Sequence, residues 1–224
     1  MIYLFYGKDR YLRKGVTPVG KKKLKLFIDI DNTIYNSTKR VVDILNERYC
    51  KAIDYRNVKH YSFLDQFPEV PYQEIKDLFD LPTFYTNTNF YEFLTLTAFM
   101  VLTRLCDKNK ASINFVTLGT IKNLEYKRDW LNNACTAWEI EYNEYYGNTN
   151  SKNDKTFIDM SDGILIDDNA ECLRKSNASI KILLKNNKDT SWNKVFPNDE
   201  FYIANDWNDV YDMLNFFYNN EELI

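Results

Sequence analysis

Short apolar runs bounded by polar turn residues alternate along this chain with stretches whose apolar positions recur every three or four residues. The runs read as buried strands and the periodic stretches as helices. Leu26-Phe27-Ile28 is the first clear run, and Asn32 and Thr33 suit the turn that ends it. Ser37 or Thr38 is expected to cap the next helix, with Val41, Leu45, Tyr49 and Ala52 on one face. Ile75, Leu78 and Phe79 form the apolar side of a short helix that Pro71 begins and Pro82 stops. Phe90, Leu94, Ala98, Val101 and Leu105 then repeat at helical spacing. Ser112 to Thr117 reads as a strand broken at Gly119 and Thr120. Ile121, Leu124, Arg128, Leu131 and Cys135 predict another helix, whose Tyr126 and Trp130 are read as packing residues.

Ile140 to Tyr146 is expected as a third strand, and Gly147 to Asp154 as a polar loop. Gly163 to Ile166 is a fourth strand that runs directly into Asp167-Asp168-Asn169. A short helix over Ala170 to Ser176 and a fifth strand over Ile180 to Leu184 follow. Asn205 or Asp206 caps a last helix lined by Trp207, Val210, Tyr211, Leu214, Phe217 and Tyr218. This alternation predicts an α/β fold, a Rossmann-like parallel sheet flanked by helices. The region from about Asp54 to Asn89 differs in texture, with many aromatics and with Pro68, Pro71 and Pro82. It is read as part of a small, mainly helical cap inserted after the first core strand. The expected division is a basic N-terminal leader over 1–23, a core over 24–36 and 90–224, and the cap over 37–89. Ile2 to Tyr6 could add a short strand within the leader.

A chain of 224 residues with 45% hydrophobic content can bury a sizeable core. Its net charge of -3 argues against a protein dominated by contacts to a nucleic-acid backbone. Lys21-Lys22-Lys23 and Lys25 read as a solvated lead-in whose charges discourage edge pairing. Cys50, Cys106, Cys135 and Cys172 are scattered with no CxxC pair, so neither a zinc site nor a disulfide framework is expected. A reduced, intracellular (cytoplasmic) compartment is the simpler reading. No stretch reaches the length of a membrane span, and Met1 to Tyr6 is too short for a signal core. His60 is the only histidine, which excludes sites needing several histidine ligands. Its polar, aromatic surroundings suit a surface or pocket wall.

In a parallel sheet, ligands gather beyond the carboxyl ends of the strands. That rule collects four separated segments. Asp29 and Asp31 end the first strand, Thr117 the second, and Asp167 and Asp168 the fourth, while a loop delivers Lys155. A carboxylate such as Asp29 can attack phosphorus covalently, provided a divalent cation offsets the charge between attacker and phosphate. Magnesium prefers carboxylate, carbonyl and water oxygens, which Asp29, the Asp31 carbonyl and Asp167 could supply. Asp168 would orient a metal-bound water or Lys155. Lys155 would hold the nucleophile and a phosphate oxygen, and Thr117 with the Leu118 and Gly119 amides would donate to the phosphate. Asp31 could protonate the leaving alkoxide and later deprotonate the attacking water. Taken singly, each residue has a plainer reading as a turn, a cap or a solvated charge; their shared position at strand ends favours the site.

Asp29-Ile30-Asp31-Asn32-Thr33, Thr117, Lys155 and Asp167-Asp168 resemble the four motifs of the haloacid dehalogenase superfamily of phosphotransferases. The second half is similar to the 5'(3')-deoxyribonucleotidase family, in Tyr126-Lys127-Arg128-Asp129-Trp130-Leu131, Asp154-Lys155-Thr156, Ile164-Leu165-Ile166-Asp167-Asp168, Ser191-Trp192 and Asp206-Trp207. The resemblance implies a magnesium-dependent phosphatase acting on nucleoside monophosphates, often deoxy forms. Asp29 would be its nucleophile and Asp31 its acid/base, with a small cap closing aromatic side chains over the nucleobase. His60, Tyr61, Phe63, Phe84 and Tyr85 are the candidates for that base pocket, or simply the core of the cap. Asn32 stands where glycine is common in that superfamily. Competing readings are a phosphatase for nucleic-acid 3' ends or small phosphometabolites, and a non-catalytic binding protein on the same fold. The acidic balance and the cap disfavour nucleic acid, both first-motif aspartates disfavour the non-catalytic reading, and a homodimer is an admissible state.

Overall fold

The structure, a computed structural model, describes residues 22–85, 93–149, 154–186 and 188–220. The expected strand over Ile2 to Tyr6, most of the leader, Phe90 and the tip of the loop before Asp154 lie outside the described residues. Six strands form one sheet: β1 (Leu24–Ile28), β2 (Ala111–Gly119), β3 (Tyr142–Asn148), β4 (Ile164–Asp167), β5 (Ile180–Leu184) and β6 (Tyr202–Ala204). Their order is β3-β2-β1-β4-β5-β6, and every neighbouring pair is parallel. Four of these strands carry the predicted apolar runs, within a few residues at their ends, and β3, an edge strand of alternating exposure, lies two residues beyond the expected Ile140 to Tyr146. β6 went unpredicted, because three residues with one buried alanine give no periodic signal.

Strand periodicity accounts for two layers of core. Leu24, Leu26 and Ile28, with Ile113, Phe115, Ile164, Ile166, Ile182 and Leu184, point to one face. Phe27, Val116, Leu165 and Leu183 point to the other. A strand buried on both faces has no polar alternation, which is why these runs are almost wholly apolar. The first face is covered by α1 (Ser37–Tyr49), α3 (Leu96–Asp107), α4 (Ile121–Ala137) and α6 (Trp207–Asn219). The second is covered by α5 (Ala170–Lys175) and by Met160 and Ala178. α2 (Tyr72–Leu78) lies in the segment between α1 and α3, after a 3-10 turn at Tyr55–Asn57.

β1 is the centre of the sheet, between β2 and β4, and so has no edge for the lysine lead-in to protect. Lys25 instead pairs with Asp162 at 3.0 Å. The helix caps also differ in detail from expectation. Asn36 caps α1 by accepting from the Lys39 N–H at 3.1 Å, with Ser37 already in the first turn. α1 ends at Tyr49, so Ala52 lies beyond it. α3 starts only at Leu96, because Leu94 is taken into a bridge with Tyr35. Asp206 caps α6 as expected, accepting from the Asn208 and Asp209 N–H groups.

α4 keeps Leu131 and Cys135 of its predicted face buried, with Trp130 packed as expected, but its first half is turned away from that face. Ile121 is 62% exposed, and the buried positions are Asn123, Lys127, Trp130, Leu131, Ala134 and Cys135. A lysine at buried spacing reads as solvent-facing by its type, so a count of apolar residues turned that half away from its true face.

Candidate active site

The order β3-β2-β1-β4 places the reversal of strand order at β1, and the crevice beyond its carboxyl end is the expected ligand position. The chain leaves the sheet after Ile28, while the Asp29 N–H still donates to the Ile166 carbonyl at 3.0 Å. The Ile30 carbonyl then accepts from the N–H groups of Thr33, Ile34 and Tyr35, closing a tight loop. Asn32 sits in that loop at φ 54°, a left-handed conformation that asparagine tolerates better than most residues. Its Oδ1 accepts from the Thr38 N–H at 2.9 Å, so the loop is tied to the start of α1. The Trp207 indole closes the far side, donating to the Thr33 carbonyl at 2.9 Å.

Asp29, Asp167 and Asp168 meet beyond β1 and β4, their carboxylate oxygens within 4.8 Å of one another and all three residues buried. Lys155 Nζ donates to Asp29 Oδ1 and to Asp167 Oδ2, each at 2.6 Å. Trp192 Nε1 donates to Asp168 Oδ2 at 2.7 Å. Three buried carboxyl groups crowd one ammonium. Burial pushes the Asp29 carboxyl up to about 7; Lys155 opposes this while Asp167 and Asp31 add to it. Asp168 is raised well above the usual carboxylate range by burial, then by Asp167 and Asp29. Burial works against the Lys155 ammonium, but Asp167 and Asp29 outweigh it and hold its pKa above the ordinary lysine value. A cluster of hard oxygen donors that pays this electrostatic cost fits a divalent cation of the magnesium type.

Asp31 is held apart from that cluster. Its Oδ1 accepts from the Tyr85 hydroxyl at 2.8 Å, and its Oδ2 lies 2.6 Å from Lys127 Nζ. Lys127 also donates to Thr117 Oγ1 at 2.9 Å and to the Leu118 carbonyl at 2.6 Å. Asn123, one turn earlier on α4, donates to the Phe79 carbonyl and to the Tyr85 hydroxyl. The end of α4 nearest the site therefore buries polar groups, and the end farther away buries Trp130, Leu131 and Ala134. Lys127, Asn123 and Trp192 were not foreseen as parts of the site. The available signal was the i, i+4, i+7 spacing of Asn123, Lys127 and Trp130, which places all three on one helix face.

The other predicted residues divide. A cavity of about 200 Å³ is lined by Asp29, Asp31, Thr117, Leu118, Lys155 and Asp167, with Asp168, Tyr61 and Phe63 also on its wall. Tyr61 stacks on Trp192, with ring centroids 4.5 Å apart, and its hydroxyl accepts from Asn169 Nδ2 at 2.9 Å. Phe84 is fully buried against Tyr35, Phe79 and Tyr85, and belongs to the core. Tyr85 is also buried and reaches the site only through its hydroxyl. His60 is exposed and does not border the cavity. Neither does Gly119, where a Cβ would stand 2.1 Å from Asn123 Oδ1, so that glycine serves the close approach of α4.

No protein-family model matches the sequence, and no curated protein matches it. Solved structures do match in shape. A Clostridium difficile protein assigned as a phosphatase superposes with a TM-score of 0.54 at 14% identity, over 87% of this chain and 100% of that one. YfnB of Bacillus subtilis, assigned as a haloacid dehalogenase-type hydrolase and solved bound to magnesium, gives 0.50 at 12% identity over the same shares. These likenesses identify the architecture as a haloacid dehalogenase-like Rossmann fold.

Proposed function

We propose that this protein is a magnesium-dependent phosphatase that hydrolyses phosphomonoesters, with nucleoside monophosphates, deoxy forms included, as the first substrate class. The observation that carries the reading is the cluster of Asp29, Asp167 and Asp168 around Lys155, at the carboxyl ends of two adjacent parallel strands. Asp29, Asp167 and Asp168 would hold the cation, which when bound offsets the charge between a carboxylate attacker and a phosphate.

The chain's own groups account for the rest. Lys155 fixes the rotation of the Asp29 carboxylate by holding one of its oxygens. An Asp29 oxygen bonds to phosphorus, and the ester P–O bond breaks in line with it. The departing alkoxide takes a proton from Asp31, whose carboxyl is oriented by Tyr85 and Lys127. Water then attacks the phosphorus of the aspartyl phosphate, Asp31 takes its proton, and Asp29 is released with phosphate. Thr117, its hydroxyl fixed by Lys127, can donate towards a phosphate oxygen in the cavity. Of the expected cap, α1 packs on the sheet with the core; residues 50–85 act as the cap, and the Tyr61 and Phe63 side chains that they bring to the cavity favour a planar leaving group.

The test is phosphate release from ribo- and deoxyribonucleoside monophosphates, sugar phosphates and a 3'-phosphorylated oligonucleotide, with and without magnesium. Magnesium-dependent release from the nucleotides supports the reading. Release from the oligonucleotide or the sugar phosphates alone keeps the chemistry and replaces the substrate. No release from any of them rejects it.

A further inference from the structure

The site cavity holds about 200 Å³, less than the ~300 Å³ at which ligand pockets commonly begin. It accommodates a phosphoryl group and the first atoms of a leaving group. A second cavity of about 640 Å³ meets it at Asn32, Thr38 and Asp168. The remainder of a substrate has room there.

The chemistry of that second wall is specific. It brings together Lys59, just after the 3-10 turn, and Lys188, in the loop after β5. Two bonds hold these segments side by side. Lys188 Nζ donates to the Tyr55 carbonyl at 2.9 Å, and the Ser191 N–H donates to the Lys59 carbonyl at 2.8 Å. The other cations on the wall are already matched, Arg56 by Asp54 and Lys185 by Asp189. Among the described residues, no carboxylate lies within ion-pair distance of Lys59 or Lys188. The acids that border the cavity are otherwise engaged: Asp206 caps α6, Asp189 pairs with Lys185, and Asp168 belongs to the carboxylate cluster.

Lys188 is half-buried, with Nζ 5.8 Å from the Trp192 ring centroid and 5.9 Å from that of Tyr55. Burial, and then Lys59, push its ammonium down to about 8, against a weaker opposing pull from Asp65, Asp168 and Asp54. The Thr190 hydroxyl oxygen on the same wall is buried and has no hydrogen-bond partner among the described residues.

We propose that Lys59 and Lys188, with Thr190, form a second anion subsite for a group on the leaving part of the substrate. The preferred substrates are then phosphomonoesters that carry a further phosphate or carboxylate, a chemistry shared by nucleoside bisphosphates and sugar bisphosphates. The substrate preference rests on the phosphatase reading above, whereas the subsite itself can be tested without turnover.

Two matched pairs serve as probes: deoxyadenosine 5'-monophosphate against its 3',5'-bisphosphate, and fructose 6-phosphate against fructose 1,6-bisphosphate. In at least one pair kcat/KM favours the bisphosphate about tenfold or more, and Lys188→Gln lowers that ratio about fivefold or more. The pair that responds tells a nucleotide from a sugar source. Parity in both pairs, or a ratio that Lys188→Gln leaves alone, overturns the preference. The second measurement is reductive methylation of lysines, read by mass spectrometry on magnesium-loaded Asp29→Asn protein. A bisphosphate protects Lys59 and Lys188, and the matched monophosphate does not. Equal labelling with both overturns the subsite. Selective protection in a protein that hydrolyses nothing would retain the subsite and reject the phosphatase reading.

Discussion

Lys127→Met isolates the contribution of the buried lysine on α4. The substitution keeps most of the side chain's volume and removes one ammonium with three short contacts: Asp31 at 2.6 Å, Thr117 at 2.9 Å and the Leu118 carbonyl at 2.6 Å. A buried acceptor left without a partner costs about 1–3 kcal/mol. The Leu118 carbonyl bears that cost most directly. Thr117 borders the cavity, and the Asp31 side chain is 26% exposed and keeps its bond from Tyr85, so water can replace part of what these two lose. The expected destabilisation is therefore about 2–4 kcal/mol, at the low side of what breaking a fully buried pair costs. With a urea m-value of about 2–3 kcal/mol/M for a chain of this size, the unfolding midpoint falls by about 1 M. Urea denaturation followed by tryptophan fluorescence reads this directly. If Asp31 and Lys127 act together, the double variant Lys127→Met with Asp31→Asn is less destabilised than the sum of the single changes. A midpoint shift below about 0.2 M, with additive single effects, would refute the placement of Lys127.

Three further outcomes follow from the same site. Asp29 titrates near 7 in the metal-free fold against an ordinary value of 3.8, so the folded state binds the extra proton. Metal-free stability therefore falls as pH rises from about 4 through 7, and the stabilisation by magnesium grows over the same range. Melting temperatures with magnesium and with chelator at about pH 5 and about pH 8 check this, and an equal magnesium shift at both would contradict it. Trp192→Phe removes the donor to Asp168 and should weaken magnesium binding by about 10–100-fold, read by calorimetric titration; unchanged affinity would deny the indole this positioning role. Asn32→Val forces a β-branched residue to φ 54° and should cost about 2 kcal/mol, whereas Asn32→Gly stays within about 1 kcal/mol because eased backbone strain offsets the lost bond to Thr38.

Much of the fold was legible because strands buried on both faces leave unbroken apolar runs. Leu26-Phe27-Ile28 and Ile180 to Leu184 are read from the sequence almost to the residue. The placement of Asp29, Thr117, Asp167 and Asp168 near one another followed from a single topological rule about strand ends, whereas Lys155 comes from the loop between β3 and β4. The partners of these residues were harder to read. Lys127 and Asn123 are polar residues on a buried helix face, and composition assigns such residues to solvent. Trp192 lies in an irregular loop with no periodicity to place it. The aromatics of the inserted segment were ambiguous for another reason: Tyr61, Phe63, Phe84 and Tyr85 have similar chemistry, and only packing separates Phe84 in the core from Tyr61 beside the cavity.

The most direct test of the account is the magnesium-dependent rate of Asp29→Asn beside that of the wild-type protein, on whichever phosphomonoester the wild type hydrolyses best. The Asn side chain keeps the shape of Asp29 but removes the charge that attacks phosphorus. The account predicts loss of at least about a thousandfold in rate, in a protein whose melting temperature shows that it remains folded. Full magnesium-dependent phosphate release from Asp29→Asn would contradict the assignment of the nucleophile.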